Sequence, residues 1–345
     1  MMSFLTRSDV LASLAIGYLA TAHYLRHHRQ KQKHHRYNYS ANLSAITLDH
    51  AQQIQLYLFE LEFPFIAQKA LEFALFRTYG IPSISSLLMH TKQLSTKAHS
   101  SKRMTDTSIL MLEVIKNPPG SKRATEALAR TNFLHGLYGG KISNEDLLYT
   151  LSLFLLEPIR WINRHEWRGL TEVEVAAMGL FWMKVGEGMK IDYSVLPGAK
   201  SGWKDGLQFT RELEKWSDEY EERNMVPAES NKETADHTTA LLLYAVPDAF
   251  KDAGRKVVSA LMDSHLRKAM LYVEPTFANR WCLQSWVDWV AGRPIPGDEG
   301  EMYFPQGFKS SHMGPAFLAG KGLAQAEKDE EQIQIIMRGD ATIST

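Results

Sequence analysis

In "SKRATEALARTNFLHGLY", residues 121 to 138, one imidazole stands among small and apolar side chains. On a helix, Ala124, Leu128, Thr131, His135 and Tyr138 follow at steps of four, three, four and three, so they share one face, flanked by Ala127 and Leu134. His135 then has two readings. It is a core histidine whose ring nitrogens meet a carbonyl and a carboxylate, or it is a metal ligand. A second group with chemical potential lies in "SKRMTDTSILMLEV", residues 101 to 114. Arg103 and Thr107 are one helical turn apart, and Asp106 is three residues from the same arginine. A surface Arg103–Asp106 pair is worth only about 0.2–0.5 kcal/mol. The following Ile109, Leu110, Met111 and Leu112 carry this helix into the core, where a guanidinium needs a definite anion such as a carboxylate or a propionate. Thr107 adds a hydroxyl that can donate to bound oxygen.

The elements that position these residues read as helical almost throughout. "LDHAQQIQLYLFELEF" and "FIAQKALEFALFRTYG" carry apolar residues at three-to-four spacing on either side of Pro64, Gly80 closes the second, and Pro82 restarts a short helix. Helices are predicted over 100–116, 121–138, 144–164, 171–190, 203–222, 231–245, 247–271 and 275–291. Ser143 with Asp146 and Thr171 with Glu174 resemble capping boxes, the Asp version being the weaker. The run "LLYTLSLFLLEPIRWI" is apolar on nearly all sides and belongs in the middle of the domain, with Pro158 expected to end or bend its helix. From "GRPIPGDEG" onward the chain reads as irregular, with a short charged helix near "AQAEKDEEQIQ". The fold class is therefore all-α. We divide it into residues 1–40, an anchor and its basic flank, one domain over 41–330, and a tail over 331–345.

Composition removes several functions. Lys+Arg and Asp+Glu balance at 39 each, so no basic footprint for nucleic acid exists. The single cysteine, Cys282, forbids an intrachain disulfide and a cysteine-rich zinc site. The chain has no phosphate-binding loop, no nucleophile elbow, and no Glu-x-x-His pairs for a helical di-iron centre. Residues 10–25, "VLASLAIGYLATAHYL", are largely apolar, and 26–36, "RHHRQKQKHHR", are basic without an acid. The apolar run covers roughly 24 Å as a helix, short of a ~30 Å hydrocarbon core, but can span a thin bilayer. We read it as an uncleaved anchor whose basic flank stays on the cytosolic side together with the main domain.

The stretches "RMTDT", "RTNFLHGLYGGKISNEDLLYTLSLF" and "WINRHEWRGLTEVEVAAMGLFWMKVGEGMKIDY" resemble the ER-bound oxygenase family of the mycophenolic acid pathway (MpaB type), whose more distant relatives are the bacterial rubber oxygenases. The resemblance covers roughly residues 50 to 300. It implies a globin-like helical fold around haem b, with His135 as proximal iron ligand and Arg103 and Thr107 matching an R-x-x-x-T on the distal side. Rubber oxygenases have a lysine just before that threonine. Here it is Asp106, which becomes the available distal acid–base group if it faces the iron. Arg130, Asn132 and Lys141 are candidates for the haem edge. The reaction implied is O2-dependent cleavage of a carbon–carbon double bond in the prenyl side chain of a lipophilic secondary-metabolite intermediate, giving an aldehyde or acid at the endoplasmic reticulum membrane. The alternative is a non-catalytic haem-binding or scaffold protein at the same membrane. "HEWR", residues 165–168, reads as structural, with Trp167 packed and Glu166 paired to Arg168 or Arg164.

Overall fold

Apolar periodicity and a chain of local stop signals set the helices. The computed structural model describes residues 7–36, 39, 41–91, 97–244, 246–274, 310, 313, 314, 318 and 320–338. The chain divides into two units, residues 1–45 and 46–345. The first contains α1 (Arg7–Arg36), a continuous helix that exposes Leu11, Leu14, Ile16 and Leu19. Among the described residues no helix is long and apolar enough to cross a membrane. The expected spanning anchor is corrected to that extent. Alanines, Gly17 and Thr21 dilute the 16-residue apolar run, and the cations from Arg26 onward end it.

The second unit is helical, with no strand among the described residues. Its elements are α2 (Leu48–Tyr57), α3 (Pro64–Thr78), α4 (Pro82–His90), α5 (Lys97–Lys116), α6 (Lys122–Gly136), α7 (Asn144–His165), α8 (Glu172–Gly188), α9 (Gly206–Asn224), α10 (Glu229–Leu242), α11 (Asp248–Leu261), α12 (Ser264–Ala269) and α13 (Leu323–Arg338). A π-turn over Leu58–Glu62 joins α2 to α3, and Pro64 and Pro82 sit in the first turns of their helices, where the missing N–H costs nothing. The predicted 247–271 helix breaks after Leu261, because Asp263 caps a new helix by accepting the N–H of Leu266 at 2.9 Å. The 275–291 helix and Cys282 lie outside the described residues. α13 crosses the expected 330/331 boundary and buries Asp329, Ile333 and Met337, so it belongs to the domain.

α7 is the central element, packed against α3, α8 and α9. It buries Leu148, Leu151, Leu153, Leu155 and Leu156, and it runs through Pro158 to His165. Buried neighbours on both sides of the proline outweigh the one helical hydrogen bond it forfeits. Beside α7 lies a buried ionic network. Arg77 on α3 makes a two-pronged contact with Glu221 on α9 (2.8 and 2.6 Å), reaches Asp263 at the start of α12, and lies 3.7 Å from Glu157 on α7. Tyr149 donates to the same Glu221 oxygen at 2.8 Å, and the Trp161 indole donates to Glu157 at 3.0 Å. Four helices meet at this node.

α8 and α9 touch backbone to backbone. A Cβ on Gly206 would stand 2.0 Å from the carbonyl oxygen of Ala176, and one on Gly179 would stand 2.1 Å from that of Gly206.

Candidate functional site

α5 and α6 form a helical hairpin. At its closed end Arg123 donates to both oxygens of Glu113 (2.7 and 2.6 Å) and Asn117 bonds back to Glu113, while Ser121 caps α6. Antiparallel pairing then sets Arg103 of α5 level with His135 of α6 at the open end. The guanidinium is close enough to act on the imidazole electrostatically.

His135 keeps part of its surface open but is hemmed in by protein on most sides. Desolvation, and second the positive charge of Arg103, lower its pKa from 6.5 to about 4. The ring is therefore neutral at physiological pH, with a nitrogen lone pair to give. Among the described residues it makes no hydrogen bond, so the carbonyl and carboxylate of an ordinary core histidine are not found there. Arg103 and Thr107, both half-buried, likewise have no side-chain partner among the described residues.

The low pKa has a measurable consequence. The unfolded ring takes up a proton near pH 6.5 and the folded ring only near 4, so its contribution to stability is complete above pH 6.5 and is lost as the pH falls toward 4. The Asp106 carboxyl, raised by burial, works in the opposite direction, its contribution declining as pH rises above the usual carboxylate range. We expect ligand-free His135→Ala to lose less stability than the wild type between about pH 6.5 and pH 4.5, read as urea midpoints. Equal slopes would remove the buried neutral ring from the account.

Asp106 is not paired with Arg103. Its partner is Lys102, one turn away at 2.5 Å, and it also accepts the N–H of Gly314 at 3.1 Å. It is 4% exposed, and its Oδ1 is buried without a partner. The i, i+4 spacing of Lys102 and Asp106 was the available signal, since residues one turn apart meet on the helix surface. Arg130, 2% exposed, donates to three carbonyls: Met313 (2.9 Å), Leu318 (2.9 Å) and Lys321 (2.7 Å). Three of its five N–H donors go to the C-terminal backbone. Asn132 donates to the carbonyl of Gly188 at 2.9 Å and ties α6 to the end of α8, and Lys141 is exposed in a 3-10 turn.

The chain was compared with known proteins. No protein-family model matches it. The ER-bound oxygenase mpaB' of Penicillium brevicompactum is 35% identical over 96% of this chain and 93% of the relative. The ER-bound oxygenase mpaB of Penicillium roqueforti is 45% identical over 76% of this chain and 89% of its own length. The mpaB protein of Penicillium brevicompactum is 38% identical over 86% of each. The chain belongs to the MpaB-type ER-bound oxygenase family. It is an oxygenase by that membership, and the coverage extends well beyond the hairpin.

One further motif of this MpaB-type chain resolves as structure. Arg168 of "HEWR" makes a bidentate contact with Glu174 (2.8 Å twice) and lies 3.5 Å from Glu62. Its guanidinium covers the rings of Phe63 (5.0 Å) and Trp167 (5.6 Å), which is the packed tryptophan the sequence suggested. Glu174 was the better partner because the Thr171 capping box already turns it toward the loop.

Proposed function

We propose that this oxygenase binds haem b through His135 and cleaves a carbon–carbon double bond in the prenyl side chain of a lipophilic substrate at the endoplasmic reticulum membrane. The observation that carries the reading is His135 itself: an imidazole hemmed in by protein with no hydrogen-bond partner among the described residues, close to a guanidinium that likewise has none among them. Among the described residues no three His, Cys, Asp or Glu side chains gather to hold a metal, and His135 alone would suit a group that brings its other ligands with it. When bound, haem supplies the iron that activates O2.

The chain's own groups divide the remaining work. His135 donates its lone pair and stays unprotonated across the physiological range. Arg103 offers a fixed cation for a propionate or for negative charge that builds up nearby, and Thr107, one turn away, offers a hydroxyl donor. Asp106 and Arg130 hold the surrounding backbone. The overall stoichiometry closes without an outside reductant, since both oxygen atoms enter the two carbonyls left when the double bond parts. An acid product needs a further oxidation of the aldehyde.

The name "ER-bound" of the relatives and the exposed aliphatic side chains of α1 support membrane attachment through the N-terminal unit, with the basic flank at cytosolic headgroups. Attachment of α1 along the bilayer surface, with the catalytic unit in the cytosol, is the arrangement we propose. A prenyl chain partitions into the same bilayer and so reaches the enzyme at high local concentration.

The test is a visible spectrum of detergent-extracted, haem-supplied protein. We expect a haem b Soret band in the wild type, its loss in folded His135→Ala, and O2 uptake by the wild type with a prenylated phenol. A featureless wild-type spectrum, or a band retained by His135→Ala, overturns the ligand assignment.

A further inference from the structure

The α5–α6 hairpin is fastened at its loop end by Glu113 and Arg123, whereas Arg103 and His135 lie toward the open end, near enough for the guanidinium charge to act on the imidazole. What closes that end comes from about 200 residues further along the chain. Gly314 gives its N–H to Asp106 and its carbonyl to Lys102 (2.9 Å), both on α5. Met313, Leu318 and Lys321 give their carbonyls to Arg130 on α6. The same segment presses on α6 beside His135. A Cβ on Gly314 (φ +103°) would meet Leu134 at 2.8 Å, and one on Gly322 (φ +76°) would meet the Phe133 ring at 2.1 Å. α13 then continues along α6 and α8, with Asp329 bound to Lys190 (2.7 Å) and Glu330 near Thr125 (3.3 Å).

We propose that Arg130 and Asp106 are positioning residues: they bind the C-terminal strap across both helices, and the strap fixes where His135 stands relative to Arg103 and Thr107. Three carbonyls on one guanidinium use its rigid fork of donors, which a lysine cannot reproduce. Asp106 accepts the N–H of Gly314 and Lys102 donates to its carbonyl, so the two peptide groups flanking this glycine are both tied to α5. The inference rests on the haem reading only for the spectroscopic half of its test.

The experiment uses the full chain in a Cys282→Ser background, with spin labels at Ser108→Cys on α5 and Leu137→Cys after α6, read as a distance distribution. We expect one narrow distance in the parent and a broadened or longer one in Arg130→Ala, with Arg130→Lys failing to restore it. Gly322→Ala keeps the Arg130 side chain but drives a Cβ into Phe133, the ring that lies under that guanidinium (5.0 Å), so it should broaden the distance too and stands in if Arg130→Ala does not fold. Arg123→Ala, at the closed end, should leave the distance single. In haem-supplied samples Arg130→Ala should keep a Soret band that is shifted or split between spin states. An unchanged narrow distance in Arg130→Ala or in Gly322→Ala overturns the proposal. A Soret band kept by His135→Ala overturns the haem reading and leaves the distance result standing.

Discussion

Arg77→Met is expected to lose about 3–5 kcal/mol of stability, the range for removing one partner from a buried ion pair. Arg77 is 7% exposed, and its partners Glu221 and Glu157 are 6% and 3% exposed. Methionine fills the volume but strands two carboxylates away from water, with only Tyr149, Trp161 and Arg160 still in contact. Lowering the pH from neutral to about 4.5 should narrow the deficit, because a stranded carboxylate is relieved by taking up a proton. Adding Glu221→Gln should cost less than the sum of the two single changes, since the pair is coupled. Urea midpoints of the four proteins decide it. A loss under about 1 kcal/mol would mean that water reaches the node and that burial does not govern it.

Gly206→Ala is expected to cost about 3 kcal/mol or more, at the upper end of overpacking penalties, because the atoms it meets are main chain. Its Cβ would lie 2.0 Å from the Ala176 oxygen and 2.5 Å from the Leu180 nitrogen. Neither can rotate away as a side-chain tip would. α8 and α9 must separate, and the displacement reaches α6 through the bond from Asn132 to Gly188 at the end of α8. Gly179→Ala attacks the same crossing from the other helix, so the double variant should be scarcely worse than either alone. A melting temperature within about 2 °C of the parent would show that the crossing has slack.

The helices were legible because their punctuation is local. Thr171 with Glu174 closes a full capping box. Ser143 with Asp146 closes only half of one, since the Asp146 carboxylate is drawn instead to Tyr220 (2.6 Å) and Ser83 (2.8 Å). Pro158 misled for the opposite reason, a local stop signal overridden by burial on both sides. His135, Arg103 and Thr107 could be singled out because each lies at helical spacing within one element. The duties of Arg130 and Arg77 could not. The partners of Arg130 are 183 to 191 residues away, those of Arg77 are 80 to 186 residues away, and no periodicity links them. Arg130 in particular looks like a ligand-binding cation in sequence and proves to hold the chain's own carbonyls.

That long separation also sets an order of events during synthesis. Arg130 and Lys321 are 191 residues apart, which at ~5–20 residues per second means roughly 10–40 s between their emergence from the ribosome. α1 emerges well before either, so the N-terminal unit is free of the ribosome while the open end of the hairpin still lacks its closure. Closure of the open end therefore comes last, and a ribosome that stalls short of α13 leaves a hairpin whose Arg130 has not met its C-terminal carbonyls.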